Sequence, residues 1–451
     1  MSRISKVTTF TDIFFSRILC RFPIVCVTLV WTVSLWTAHG EVEIIEPHIP
    51  AHQFSLAQFG AVGDGITLNT DAFNKAVAAV QQAGGGTLVV PAGVFLTAPF
   101  QVTSNMELRL EKGACIKASD RFADYGYPEN LPANQEALDA LHVRPRPLIS
   151  GTKLETFVLS GEGTIDGCGL VWWQHVNKPT YYKAGNLLLN LRPNLVQVNG
   201  CENFVVRGIT LMNAPGGHIM PVHCEHVLVE NVHIITPQHA PNTDGIDPSG
   251  SKNVLIRHCD IDCGDDDIAI KPGGAGFCEN IEITDCLIKH QYGITIGSET
   301  YGGCQHMLVK NCVFEGTKTA IAIRSAADRG GLVTDIRYEN LTMHNVGLAI
   351  EFTMLYGVNN PSWSKYGGNP RVPHFHGVVL RNIQVTGASQ AMNMQGLAES
   401  PIEDFDFENV KIDANTGMVI ENAKGIVFKN VQVTAKKGSP LATKNAEVTR
   451  E

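Results

Sequence analysis

The chain has 451 residues, of which 44% are hydrophobic and 18% charged, and its formal net charge is −9. That length and balance suit a large globular core and exclude a disordered chain. The acidic excess argues against nucleic-acid binding, and any polyanionic partner would need a local basic patch.

Residues 1–40 read as an export signal. Arg3, Lys6, Arg17 and Arg21 precede or border an uncharged apolar run over 22–36, and Ala38-His39-Gly40 supplies small residues for a peptidase. The run is short for a membrane span, although the long basic region before it leaves a retained anchor as the alternative. Removal of residues 1–40 would make the remainder more acidic still. The expectation is therefore a secreted or periplasmic protein, monomeric, with no stable membrane association after cleavage. Beyond the signal lie ten cysteines without the Cys-x-x-Cys spacing of a metal knuckle. Several recur at equivalent repeat positions, which leaves stacked thiols and disulfides as the two readings.

The next predicted element is a helix over 70–83. Ala72, Phe73, Ala76, Val77 and Val80 have helical spacing, Asn69 or Thr70 offers a cap, and Gly84-Gly85-Gly86 stops it. From there the pattern becomes repetitive. Asn253-Val254-Leu255-Ile256, Asn280-Ile281-Glu282-Ile283, His306-Met307-Leu308-Val309, Asp335-Ile336-Arg337-Tyr338, Gly377-Val378-Val379-Leu380 and Gly425-Ile426-Val427-Phe428 are one unit returning. A second signature follows each, as in Asn311-Cys312-Val313-Phe314, Asn340-Leu341-Thr342-Met343, Asn382-Ile383-Gln384-Val385 and Asn430-Val431-Gln432-Val433. One such repeat cannot bury its apolar face alone, whereas stacking coil on coil does. The fold expected is all-β, a single-domain right-handed parallel β-helix with a short N-terminal capping helix and asparagines laddered at one corner. The domain spans 41–435, with the cap and first coils in 41–120. A loop insertion over 352–376, containing Trp363, Tyr366 and Gly367-Gly368, would wall a cleft, and 436–451 reads as a loose tail.

The chemistry concentrates in two segments about one coil apart, Asn242-Thr243-Asp244-Gly245 and Cys263-Gly264-Asp265-Asp266-Asp267-Ile268-Ala269-Ile270-Lys271. Carboxylates gathered in a cleft raise one another's pKa. A protonated acid beside ionised carboxylates is what hydrolysis of a glycosidic bond requires. Adjacent strand residues point to opposite faces, so Asp265 and Asp266 share a groove only if the backbone bends, and Gly264 makes a bend available. The bland alternatives are an acidic turn or a Ca²⁺ site built from the same three aspartates.

These segments, with Phe59-Gly60-Ala61-Val62-Gly63-Asp64-Gly65, Gly84-Gly85-Gly86-Thr87-Leu88-Val89-Val90-Pro91 and Gly163-Thr164-Ile165-Asp166-Gly167 before Trp172-Trp173, resemble glycoside hydrolase family 28, the polygalacturonase family. The likeness covers most of the chain after residue 40. It implies an inverting hydrolase of pectic polysaccharide that needs no cofactor or metal, with Asp265 as general acid and Asp244 and Asp266 activating water. Three departures bear on substrate. Tyr292, in Gln291-Tyr292-Gly293, stands where the family has histidine; His290 nearby reads first as a structural histidine and only second as a substitute. Ala322 and Arg324 stand where it has arginine and lysine, the cations that hold a galacturonate carboxylate. Asp267 stands where it commonly has cysteine. Arg324 retains a fork for a carboxylate, while Arg329 reads more simply as a solvated loop charge than as a cation that swings in. Tyr292, Arg324, Lys271, His218 and Tyr356 are the candidate sugar-binding residues, while Trp172 and Trp173 read as core. Three competing readings remain: a hydrolase of another acidic or rhamnogalacturonan-type glycan, a Ca²⁺-dependent lyase on the same fold, and a non-catalytic glycan-binding solenoid.

Overall fold

The computed structural model describes the chain from Val42 to Glu451, apart from Glu43, Ile45, Asn130, residues 133–139, His142, Arg144, residues 177–191, Ala275, Asp328 and residues 358–371. The expected signal segment, and Trp363, Tyr366 and Gly367-Gly368, lie outside the described residues.

The chain winds into a right-handed parallel β-helix, and its columns of side chains show why. Val227 pairs with Val254, Val254 with Ile281, Ile281 with Met307, Met307 with Ile336, Ile336 with Val378 and Val378 with Phe405, all in parallel register. Every member of that column is buried. Each coil presents one apolar residue at the same height, and burial comes from the coils above and below.

The asparagine corner forms as the repeat predicts. The Asn340 amide donates to Asn311 (3.1 Å), Asn382 to Asn340 (2.9 Å), Asn409 to Asn382 (3.2 Å) and Asn430 to Asn409 (2.9 Å). Their φ values of 52–56° lie in the left-handed region, which asparagine tolerates better than other side-chain-bearing residues. The sequence separation along the ladder runs 29, 42, 27 and 21 residues, the longest step being from Asn340 to Asn382. The insertion expected over 352–376 falls on this longer step, and its residues 358–371 lie outside the described residues. Phe352 still belongs to the strand Leu348–Thr353, and the next strand has begun by His374.

The N-terminal helix is Thr70–Gln82 and buries the five apolar residues expected, with Phe73 stacked on Phe100 at 4.4 Å between ring centres. Its capping differs from expectation. The Asn69 side chain turns away from the helix to hold Val62 and Thr67, and the Thr70 hydroxyl accepts from Ala98 N–H. Both residues tie the helix to the first coil instead of satisfying its own amides.

Residues before the first strand strap the outside of the solenoid. Val42, Ile44 and Ile49 pack on Val158, Val205, Leu228 and Leu255, which are register partners on four successive strands. The other end is also fastened. Of residues 436–451, expected as a loose tail, all but Glu451 are part of the strand Ile402–Arg450. Asn445 donates to Asn422 at 2.7 Å, Glu451 N–H donates to Phe428 O at 2.9 Å, and Leu441 and Val448 pack on the core. A solenoid's last coil leaves an open strand edge, and this segment covers it. All ten described cysteines are free thiols, eight of them buried. The thiols of Cys259, Cys286 and Cys312 contact one another from successive coils, so the stacked arrangement is the one adopted.

Candidate active site

The bend that the acidic run requires is a one-residue bulge. Along the strands Asp260–Ile270 and Leu287–Gly297, Cys263 faces His290 and the next pair is Asp266 with Tyr292. Gly264 and Asp265 thus stand against Gln291 alone, which re-aims Asp265 relative to a regular strand. Glycine is needed at 264 for closeness and not for a left-handed turn: a Cβ there would lie 2.1 Å from Ala240 O and 2.5 Å from Thr243 Oγ1. Its N–H donates to that hydroxyl at 3.0 Å, which ties the bulge to the Asn242–Asp244 turn. One residue on, Gly245 N–H donates to Asp266 O at 2.9 Å, and a Cβ at 245 would lie 2.4 Å from Asp267 O. The two acidic segments are therefore sewn together through glycines that let their backbones touch.

The three carboxylates meet, and their surroundings differ. Lys271 Nζ lies 3.4 Å from Asp244 Oδ2 and 3.5 Å from Asp266 Oδ2. Asp266 also accepts from Thr295 Oγ1 at 2.9 Å and pairs with Arg324 Nη1 at 3.4 Å. Burial works against the Lys271 charge, but Asp244, Asp247 and Asp266 outweigh it and hold the ammonium well above its usual range. Among the described residues no cation pairs directly with Asp265. Its oxygens accept from Asn242 Nδ2 and Asp266 N–H, each at 3.1 Å. Burial first, then the charges of Asp244 and Asp266, push its carboxyl up to about 8, against the opposing pull of Lys271 and Arg324. The result is one carboxyl that keeps its proton at neutral pH beside two carboxylates lodged against cations.

With this geometry established, likeness to known proteins becomes informative. The sequence model of glycosyl hydrolases family 28 matches residues 82–436. The chain belongs to that family. It is 33% identical over 376 residues to a probable polygalacturonase of Vitis vinifera, covering 80% of this chain and 74% of the relative. It is 31% identical over 342 residues to an endo-polygalacturonase of Pectobacterium carotovorum subsp. carotovorum, covering 73% and 80%. Among solved structures, the exopolygalacturonase from Thermotoga maritima superposes with a TM-score of 0.68 at 26% identity, over 90% of this chain and 94% of that one.

In this family 28 hydrolase several expected sugar contacts have other duties. His218 is fully buried. Its Nδ1 lies 2.9 Å from the Asp244 carbonyl and its Nε2 2.7 Å from Thr236 Oγ1. Burial pushes the imidazole down to about 4, so it is neutral and props the Asp244 backbone from behind, out of reach of a sugar. Arg324 is only 4% exposed. Its Nε donates to Glu351 Oε2 at 2.8 Å while Nη1 meets Asp266, so two of its three nitrogens are engaged by the protein itself. Arg329 is buried and bonds Ser298 Oγ at 2.9 Å. His290 sits in the left-handed region and pairs with Asp262 at 2.8 Å, which removes it as a stand-in for Tyr292. Asp267 is fully buried and accepts from Cys263 N–H and Sγ, so it faces the interior and not the groove.

Tyr292 and Tyr356 do reach the site. The Arg324 guanidinium lies 4.7 Å from the Tyr292 ring centre and 5.3 Å from that of Tyr356. Burial, then the charge of Asp265, raises the Tyr292 phenol; burial, opposed by Arg324, pushes Tyr356 up to about 12, so both remain neutral donors. Trp172 and Trp173 are core residues as read, the former among Phe122 and Tyr125 and the latter donating to Ala214 O.

Three participants escaped the sequence reading. Asp247 is buried beside Asp244, and burial first, then the Asp244 charge, raises its carboxyl far above the ordinary range. Glu351 holds Arg324. Arg192, nearly buried, bonds Pro215 O, Pro241 O and Asn242 Oδ1 and so orients the amide that faces Asp265. Asp247 had a signal, an acid three residues after Asp244; Arg192 lies far upstream and had none. Among the described residues no cluster of His, Cys, Asp and Glu has a metal-holding arrangement, and no helix is long and apolar enough to cross a membrane. Lys271 and Arg324 occupy the space beside the carboxylates that a Ca²⁺ ion would need.

Proposed function

We propose that this family 28 hydrolase is a secreted, inverting enzyme of the polygalacturonase type, cleaving α-linked galacturonate bonds in pectic polysaccharide. The observation that carries the reading is the contrast between Asp265, which holds a proton to about pH 8, and Asp244 and Asp266, which lie against Lys271 and Arg324. Asp265 gives its proton to the glycosidic oxygen as the bond to the anomeric carbon breaks. A water held by Asp244 and Asp266 attacks that carbon from the opposite face and yields its proton to one of them, leaving the configuration inverted. His218 keeps Asp244 in place; Arg192, through Asn242, does so for Asp265. Tyr292 and Tyr356 offer neutral donors and ring faces to the sugars. The basic and apolar pattern of residues 1–40 supports export.

The test is release of reducing ends from a panel of pectins and uronans by wild type and Asp265→Asn, with the product anomer followed by NMR. Wild type should act on galacturonan and give the β anomer first. The substitution should lower kcat about 10²- to 10⁴-fold, the range of a lost general acid. Activity confined to neutral glycans, or an undiminished variant, would remove the assignment. An unsaturated, ultraviolet-absorbing product would point to the lyase instead. A second pectic glycan remains a live alternative for one reason: Arg324, the cation the resemblance offered to a substrate carboxylate, is already engaged by Asp266 and Glu351.

A further inference from the structure

If the substrate carries a carboxylate on each sugar, as the proposed function requires, something on the trough must recognise it. The cations closest to the aspartates are not available. Arg192, Arg324 and Arg329 are each less than a tenth exposed and bonded to protein oxygens, and Lys271 spans Asp244 and Asp266. Position 322, where the resemblance would put a second cation, is a buried alanine.

Lys318 is different. It is exposed and has no ion-pair partner among the described residues. Its backbone N–H donates to His290 O and Gln291 O, which fixes its root at the bulge opposite Asp265. The next residue, Thr319, is the register partner of Tyr292, itself the partner of Asp266. Lys318 thus stands two rungs along the solenoid from the acids, roughly 10 Å at ordinary strand spacing. Its ammonium is directed back over the Tyr292 ring, 5.6 Å from the ring centre. A cation without a carboxylate partner beside the Tyr292 phenol matches a uronate sugar, whose hydroxyl can bond the phenol while its carboxylate takes the charge.

We propose that Lys318 binds the carboxylate of a uronate unit seated against Tyr292, one position removed from the bond being cleaved, and thereby sets a preference for unesterified substrate. Lys318 is a specificity residue and takes no part in proton transfer.

The experiment compares wild type, Lys318→Gln, Lys318→Arg and Lys318→Glu on polygalacturonate and on highly methyl-esterified pectin, with melting curves to show that the fold is retained. On polygalacturonate, Lys318→Gln should raise KM about tenfold, the size of one charge-assisted contact, with the loss in KM and not in kcat. Lys318→Arg should restore KM, Lys318→Glu should raise it further, and added salt should narrow the gap between wild type and Lys318→Gln. On the esterified substrate the variants should match wild type. An unchanged KM on polygalacturonate, or an equal rise on both substrates, would overturn the role of Lys318 while leaving the proposed function standing. Failure of wild type to hydrolyse either substrate would instead remove the proposed function, and the Lys318 assignment with it.

Discussion

The asparagine corner and the aspartate trough are both columns of side chains stacked coil on coil, and they are built on opposite principles. At the corner, Asn382 donates to Asn340 and accepts from Asn409. An amide is donor and acceptor at once, so identical residues satisfy each other and the repeat extends. An ionised carboxylate only accepts, and a column of identical aspartates would repel. The trough therefore abandons repetition. Asp266 is followed in register by Tyr292 and Thr319, and Ala269 by Thr295, Ala322 and Glu351, with Lys271 and Arg324 set between the acids. Regular stacking makes the scaffold rigid; the departures from it hold unlike charges at fixed spacing, which the proposed chemistry needs.

The sharpest way to break the comparison is to remove the cation that lets acids from distant coils coexist. Arg324→Gln leaves Asp266 and Glu351 close together and poorly solvated. Removing one partner of a buried pair typically costs about 3–5 kcal/mol, well beyond any single corner substitution. The urea midpoint should fall accordingly and kcat should drop with it, because Asp266 loses a group that orients it. Arg324→Lys should recover only part of both, since an ammonium lacks the separate Nε and Nη1 donors that meet Glu351 and Asp266. Wild-type stability in the glutamine variant would mean that the trough tolerates its charges without this pairing.

The two regions also differ in how far they could be read from the sequence. The corner was legible because each asparagine repeats the same local rule, so the recurring signature placed Asn340, Asn382 and Asn430 in one column. The meeting of Asp244 with Asp265 and Asp266 was legible for the same reason: they are about one coil apart. What was hidden depended on depth and not on spacing. His218 and Arg324 have the chemistry of sugar ligands, but one lies wholly behind the Asp244 carbonyl and the other is committed to two protein carboxylates. The role of Lys318 depends on its rotation over Tyr292, which no periodicity encodes. The closing coil over 436–451 was misread because its mostly exposed, polar side chains resemble a tail, whereas the open strand edge beneath it is a property of the stack.

A second, smaller effect concerns pH. A free aspartate loses its proton near pH 3.9, while Asp265 in the folded protein keeps it to about 8. Between those values the folded state binds more protons than the unfolded state, so this residue's contribution makes stability fall as pH rises across that window. Below about pH 4 both states are protonated and the contribution vanishes. Asp265→Asn, neutral throughout, should therefore have a higher urea midpoint than wild type at pH 8 and lose that advantage as pH approaches 4. Wild-type activity should decline on the alkaline side as Asp265 gives up the proton it is proposed to donate. A variant less stable than wild type at pH 8 would show that Asp265 is held by contacts stronger than the repulsion around it.

The smallest effect belongs to the corner and serves as the control for the other two. Asn382→Ala removes two ladder bonds and puts a side chain without a local acceptor at φ 56°. The bonds are exposed, so most of their energy is exchanged with water, and the backbone strain adds to what remains; together they amount to about 1–2 kcal/mol. Asn382→Gly loses the same bonds but adopts the left-handed conformation freely, so the difference between the two variants isolates the strain. Both should keep wild-type kcat and KM, because the ladder contributes rigidity to every coil and charge to none. A substantial fall in kcat for Asn382→Ala with the fold intact would mean that the corner and the trough are mechanically coupled, and that the regular part of the solenoid shares in positioning the acids.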